Sequence, residues 1–538
     1  MRSFIGARAA SALAGIVLLL FALGARALDP ALLGKLASDD LTEKLAAIDA
    51  LAASGEEAAL TVLRALANGE VHVTPDSRVL IVADRVLDAV TLEPLDLVAQ
   101  QYEAVVVNNR MRAKLESAIA ALSLLSADRE ERMASARALE TTEDVSLIGL
   151  VDRALAKETD PQIRKSLEHT KAVLDLRSHD AVRRLAAART LAQSNQARVR
   201  TMLLALLEKD VSGSPLEPDA EVRYAAQAAL KALERRLAFT DYLGRLFSGL
   251  SLGSILLLVA LGLAITYGLL GVINMAHGEM LMIGAYATYA TQQIFRMHFP
   301  GWFDWYVFAA IPAAFLCASL VGMALERTVI RWLYGRPLET LLATWGISLF
   351  LIQVVRQLFG AQNVEVANPS WLSGGVEVAG VVMPYNRIAI IGFSLFVLLL
   401  VALMLSRTRL GLFIRGVTQN RSMAACVGVP TGRVDLLAFG LGSGIAGLGG
   451  VALSQIGNVG PDLGQAYIID SFMVVVLGGV GQLAGTVYAA LGLGVLSKLI
   501  EPHIGAVLTK ILVLVLIIAF IQKRPQGLFA LKGRVLEA

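Results

Sequence analysis

The chain has 538 residues, a mean hydropathy of +0.62, 17% charged residues and a net charge of +3. So apolar a composition argues against an ordinary soluble enzyme and for an integral membrane protein with a soluble part. Residues 28–240 hold 27 Lys and Arg against 33 Asp and Glu, and residues 241–538 hold 18 against 12, with no basic stripe suited to nucleic acid.

Arg2 and Arg8, the apolar stretch "AASALAGIVLLLFALGA" and the A-x-A site Ala25-Arg26-Ala27 read in order as an export signal. The apolar stretch is short for a membrane span, which needs about 20 residues. Cleavage after Ala27 is expected, with an uncleaved anchor as the alternative.

Residues 28–240 show almost no strand signal. A local pattern recurs there, starting at Asp40, Asp128, Asp160, Asp180 and Asp219. In each, a basic residue follows four positions later and Ala or Leu recur at helical spacing. Asp caps a helix by accepting backbone N–H bonds, and the basic residue is expected over it on the same face. The irregular spacing suggests a degenerate α-solenoid similar to HEAT repeats, a helical-repeat soluble domain, with an unrelated helical bundle as the alternative. Such a surface suits protein binding and offers no catalytic group.

From about residue 249 apolar runs dominate, and the reading is an all-α polytopic membrane domain of eight or nine spans over 241–538. Spans are expected near 249–270, 280–295, 305–325, 341–359, 388–406, 434–456, 469–481, 486–500 and 507–522. The seventh and eighth are short and separated by "LGGVGQLAG", which suggests a broken or re-entrant pair. With residues 28–240 outside, nine spans place 12 of the 18 basic residues after residue 240 inside, as the positive-inside rule requires. The C-terminus is then cytoplasmic.

Some motifs carry little. "LSGG" at 372–375 matches the signature loop of ABC ATPases, but the chain has no phosphate-binding GxxxxGK[ST] loop. "GLGSGIAG" at 440–447 suits close helix packing better than a serine nucleophile. Cys317 and Cys426 have no CxxC partner, so neither a disulfide framework nor a zinc site is indicated. Asn274, His277 and Glu279 interrupt an apolar run; His277 and Glu279, two apart, face different sides of a helix and make a poor metal pair. Segment 407–433 carries five arginines and no acid, and its "NRSMAACVGV" can form a short amphipathic helix.

The runs "GVINMAHGEMLMIGAY", "GVTQNRSMAACVGVPTGRV", "FMVVVLGGVGQLAGTVYAALGLG" and "RPQGLF" resemble the permease family of branched-chain amino acid ABC importers. They are most similar to its urea-transport form, whose longer version carries an N-terminal helical extension. The resemblance covers roughly 240–530. It implies a permease that moves urea inward, with branched-chain amino acids or short amides as the alternative solutes and a membrane-anchored helical-repeat scaffold as a reading of another class. It implies no cofactor in this chain, with ATP bound by two cytoplasmic ATPase subunits. A second permease subunit and a periplasmic solute-binding protein complete the implied assembly. Candidates for the ATPase contact are Arg415, Asn420, Arg421, Ala424, Ala425 and Gly428; Arg421 stands where the family favours an acid. Candidates for the solute path are Asn274, His277, Glu279, Ser471, Gly478, Gly479 and Gly481, because paired helix breaks expose backbone groups to solute. Urea is neutral and needs hydrogen-bond partners, which suits span interiors with few ionisable groups.

Overall fold

The computed structural model describes residues 28–529 except 39, 77, 84 and 96–101. The expected export signal and the tail beyond residue 529 lie outside the described residues. The chain forms two compact units, one ending at Leu237 and one beginning at Ala238.

In the first unit the helices are α1 (Pro30–Leu36), α2 (Leu41–Ser54), α3 (Glu57–Asn68), α4 (Asn109–Ser123), α5 (Arg129–Leu139), α6 (Ile148–Lys157), α7 (Pro161–Asp175), α8 (Ala181–Leu191), α9 (Ala197–Leu207) and the first turns of α10 (Ala220–Leu270). Asp40, Asp128, Asp160, Asp180 and Asp219 each accept the N–H two residues on, at 2.8–3.1 Å. The basic residues do something other than expected. Arg132, Arg164, Arg184 and Arg223 reach back to the carbonyls of Ser126, Glu158, Ser178 and Glu217, two residues before each cap, at 2.6–3.1 Å. With an aspartate oxygen already taken by the backbone, the charged donors go to a carbonyl left open where the chain enters the helix. Arg132 also bridges to Glu158 and Arg184 to Glu217, each at 2.8 Å, and both glutamate side chains are only 3% exposed.

The expectation of almost no strand is corrected. β1 (Val71–Val73), β2 (Val79–Val82), β3 (Val86–Asp88) and β4 (Glu103–Ala104) form an antiparallel sheet in the order β3-β2-β1-β4. Runs this short give no readable alternation. The sheet forms because Val71, Val79 and Ile81 join the apolar core of α1–α7.

The second unit contains the rest of α10, then α11 (His277–His298), α12 (Tyr306–Thr328), α13 (Pro337–Phe359), hairpin β5 (Gly375–Val378) and β6 (Val381–Pro384), and α14 (Tyr385–Arg407). After these come α15 (Arg409–Gln419), α16 (Arg421–Cys426), α17 (Thr431–Ser454), α18 (Leu463–Gly478), α19 (Leu483–Ile504) and α20 (Ala506–Lys523). Among the described residues seven helices are long and apolar enough to cross a membrane: α10, α12, α13, α14, α17, α19 and α20. The other two expected spans are helical but differ in kind. Helix α11 carries buried polar groups, and α18 has only 16 residues. Helix α19, with 22 residues, is long enough to span and is no re-entrant half.

Successive helices run alternately between two ends. At the hairpin end Arg356 pairs with Asp462 at 2.8 Å, Val364 and Val459 exchange backbone bonds, and Asp304 accepts from Ser370. At the other, arginine-rich end lie Arg327, Arg331, Arg336, Arg407, Arg409, Arg415, Arg421, Arg433, Lys523 and Arg524. Between the ends, glycines of α17 let backbones touch. A Cβ on Gly450 would stand 2.1 Å from the carbonyl oxygen of Leu281, and one on Gly284 2.1 Å from that of Gly447. Small residues at this spacing are how membrane helices pack closely without a hydrophobic driving force.

Candidate transport path and coupling surface

Helix α10 ends at Leu270, Gly271 turns the chain at φ +64°, and α11 starts only at His277. Residues 271–276 run back into the bundle. His277 Nε2 lies 3.2 Å from the carbonyl oxygen of Val259, roughly 16 Å short of the end of α10 at 1.5 Å per residue. Glu279 Oε1 accepts from Ser348 Oγ at 2.8 Å, and Ser348 lies about 16 Å into α13 by the same measure. Helix α11 therefore begins near mid-depth. Thr344 Oγ1 accepts the Met275 N–H at 3.1 Å, and Asn274 Oδ1 that of Ala276 at 3.1 Å. Irregular backbone at this depth survives only where protein satisfies its polar groups.

Asn274, His277 and Glu279 are at most 1% exposed. Asn274 Nδ2, His277 Nδ1 and Glu279 Oε2 have no hydrogen-bond partner. The first turn of α18 meets the first turn of α11: a Cβ on Gly278 would stand 2.5 Å from the Gly464 carbonyl oxygen, and one on Gly464 2.8 Å from Glu279 Oε2. Two helix N-termini thus meet beside the Glu279 side chain. His277 turns to α10 and Glu279 to α13, so the two do not converge on a common atom.

The later candidates form no single path with these. Ser471 is buried and its hydroxyl donates to Tyr467 of its own helix at 2.9 Å. Gly478 packs on Gly485, where a Cβ would stand 2.5 Å from the Gly485 carbonyl carbon. Gly479, at φ +99°, faces the C-terminal segment, with the Phe529 carbonyl oxygen 2.4 Å from its would-be Cβ. Only Gly481 touches the early break, because a Cβ on Gly268 would stand 2.8 Å from its Cα. The "LGGVGQLAG" glycines are tight-turn and packing residues.

The expected short helix is α16. Asn420 caps it, accepting the Met423 N–H at 2.9 Å, and Gly428 leaves it at φ +89°. Of the expected contact residues, one is buried and another, though exposed, is held by an internal partner. Ala424 is only 6% exposed and packs into the apolar core beneath α16. Arg421 forms an ion pair with the buried Asp435 and lies 5.0 Å above the Tyr334 ring, fixing α16 to α17. Arg415 Nε donates to Gly411 at 3.3 Å, along its own helix. Ala425 and Gly428 are exposed. The apolar residues that α15 and α16 leave open are Leu412, Met423 and Val427, 59%, 61% and 72% exposed. Sequence reasoning missed them, although Met423 and Val427 are four apart and flank Ala424. It also missed Thr340, Thr344 and Ser348, the buried stripe of α13 that receives the broken segment, whose signal was a polar residue at every fourth position.

Among the described residues no three His, Cys, Asp or Glu side chains are grouped to hold a metal. Apolar helices around an internally broken one, with an exposed apolar helix at the arginine end, define a multi-pass membrane transport subunit. The family described as the permease component of branched-chain amino acid transport systems matches residues 245–521, and the chain belongs to it. The permease protein BraD of the high-affinity branched-chain amino acid transport system of Pseudomonas aeruginosa is 31% identical over 294 residues, 53% of this chain and 95% of the relative. LivH of Escherichia coli, the corresponding permease protein, is 29% identical over 297 residues, 54% and 96% of the two chains. A probable LivH of Methanocaldococcus jannaschii is 24% identical over 291 residues, 51% and 88%. No solved structure matches the chain.

Proposed function

We propose that the chain is the permease subunit of an ATP-driven importer of branched-chain amino acids. The helix break at 271–276, inside the family-matched region, carries this reading, since it sets polar groups at mid-depth in a bundle packed closely through glycines. The hairpin end faces outside, where a solute-binding protein delivers its load. The arginine end faces the cytoplasm, in keeping with the positive-inside rule. There Leu412, Met423 and Val427 meet an ATPase subunit, which binds the ATP; this chain needs no cofactor. A second permease subunit and a second ATPase complete the assembly. The unit ending at Leu237 lies outside the membrane as a HEAT-like domain, supported by its repeated caps and arginine bridges.

The comparisons favour amino acids over urea as the solute. One observation supports urea as the second reading: the relatives match only about half of this chain, and an N-terminal extension fits the longer urea form. Uptake of labelled leucine and labelled urea by the complete assembly, with the binding protein's affinities measured separately, decides between them. Urea uptake without leucine uptake would overturn the first reading.

A further inference from the structure

A cleft of about 230 Å³ opens at the hairpin end among α10, α18, α19 and α20. At about 30 Å³ per water it holds roughly eight waters, the size of a small amino acid. Leu256, Met473, Leu493 and Val513 supply apolar walls. Four charged side chains line it, Asp470 and Glu501 against Lys498 and Lys510, so its formal charge is zero but both signs are present.

The two ion pairs differ. Lys498 holds Glu501 at 2.7 Å, one turn away on the same helix. Lys510 is 3.3 Å from Asp470 and 3.3 Å from the Ala466 carbonyl oxygen, both long for a charged donor. Asp470 is 17% exposed on α18, whereas Lys510 is 58% exposed. Ionisable residues within membrane helices are costly and mark solute pathways. A loosely closed ion pair beside an apolar wall is complementary to a molecule with an ammonium, a carboxylate and an aliphatic branch.

We propose that this cleft receives a zwitterionic aliphatic amino acid. Asp470 accepts from its ammonium, Lys510 donates to its carboxylate, and its branched side chain lies against Leu256, Met473, Leu493 and Val513. The site rests on the amino-acid reading above. It adds a receiving station on the outer half of the bundle, distinct from the broken helix at mid-depth.

Saturation-transfer NMR on the full chain in lipid nanodiscs tests it, with L-leucine, isovalerate and isopentylamine as probes. Leucine should bind the unchanged chain best. Asp470→Asn should weaken leucine roughly tenfold or more and strengthen isovalerate, because a repelling carboxylate is gone. Lys510→Gln should weaken leucine and strengthen isopentylamine. A purely structural ion pair would weaken all three probes alike, and that result would overturn the proposal. So would unchanged leucine binding accompanied by loss of co-purified phosphatidylethanolamine, which would make the cleft a lipid headgroup site. Leucine transport by the complete assembly without this reversal of preference discards the cleft and leaves the transport reading standing. The reversal together with transport of urea alone keeps the cleft and discards the transport reading.

Discussion

Glu279 sits where a carboxylate is least expected, buried near the middle of an apolar bundle with one oxygen bonded and the other left open. The N-termini of α11 and α18 meet beside it and Ser348 donates to it. Glu279→Leu should leave the Ser348 hydroxyl without its acceptor, at a cost of about 1–3 kcal/mol. Transport should fall at least several-fold with membrane insertion retained, as read by uptake and by blotting of the membrane fraction; Glu279→Gln, which can still accept, should lose less. Thr344→Val should orphan the Met275 N–H and lower the melting temperature of the solubilised protein. Asn274, His277 and Glu279 stood out in the sequence because each interrupts an apolar run. Their neighbours did not, since a threonine every fourth position marks a helix face without telling which segment will lie against it. Nor does hydropathy show that residues 271–276 turn back to mid-depth.

At the scale of elements, α16 separates two outcomes that composition could not. Its register turns Ala424 inward and Met423 and Val427 outward. Ala424→Asp should bury a carboxylate in the core under α16 and reduce the amount of folded protein. Met423→Asp and Val427→Asp, at positions more than half exposed, should leave folding intact and abolish solute-stimulated ATP hydrolysis by the assembly. Normal stimulation in both exposed variants would remove α16 from the ATPase contact. The helix itself was legible from "NRSMAACVGV", but its inward side was not, because Arg421 is drawn onto Asp435 and Tyr334, remote in sequence. The glycines at the turn between α18 and α19 are ambiguous for a related reason: glycine is required equally where a helix opens to a ligand and where two backbones touch.

Across the whole molecule, the first unit is tied by charge and the second by backbone contact. Arg132 holds Glu158 well below the ordinary glutamate range, helped by the N–H groups of Thr159 and Asp160. Burial opposes ionisation of Glu217, but Arg184 and the Asp219 N–H outweigh it and lower its pKa as well. Both carboxyls are easier to ionise folded than unfolded. Their stabilisation is therefore complete above the ordinary value of 4.5 and is lost as pH falls below it towards the lower folded values. Between pH 5 and pH 3 the melting temperature of the first unit's transition in the solubilised full chain should fall, and fall less in a Glu158→Gln, Glu217→Gln double variant. Arg132→Ala should cost on the order of 3 kcal/mol at neutral pH, since it strands a buried carboxylate. The capping aspartates made these helices readable, while the bridges between residues 26 and 33 positions apart have no local signature. The far end of the chain has a bond of similar reach. The N–H groups of Leu528 and Phe529 go to the carbonyls of Leu477 and Gly478, which close α18. Those carbonyls belong to a helix made before their donors, so during synthesis the turn after α18 stays open until Leu528 and Phe529 have left the ribosome. The latch on the turn between α18 and α19 therefore forms only after α19 and α20, which lie between the carbonyls and their donors in sequence, have been made.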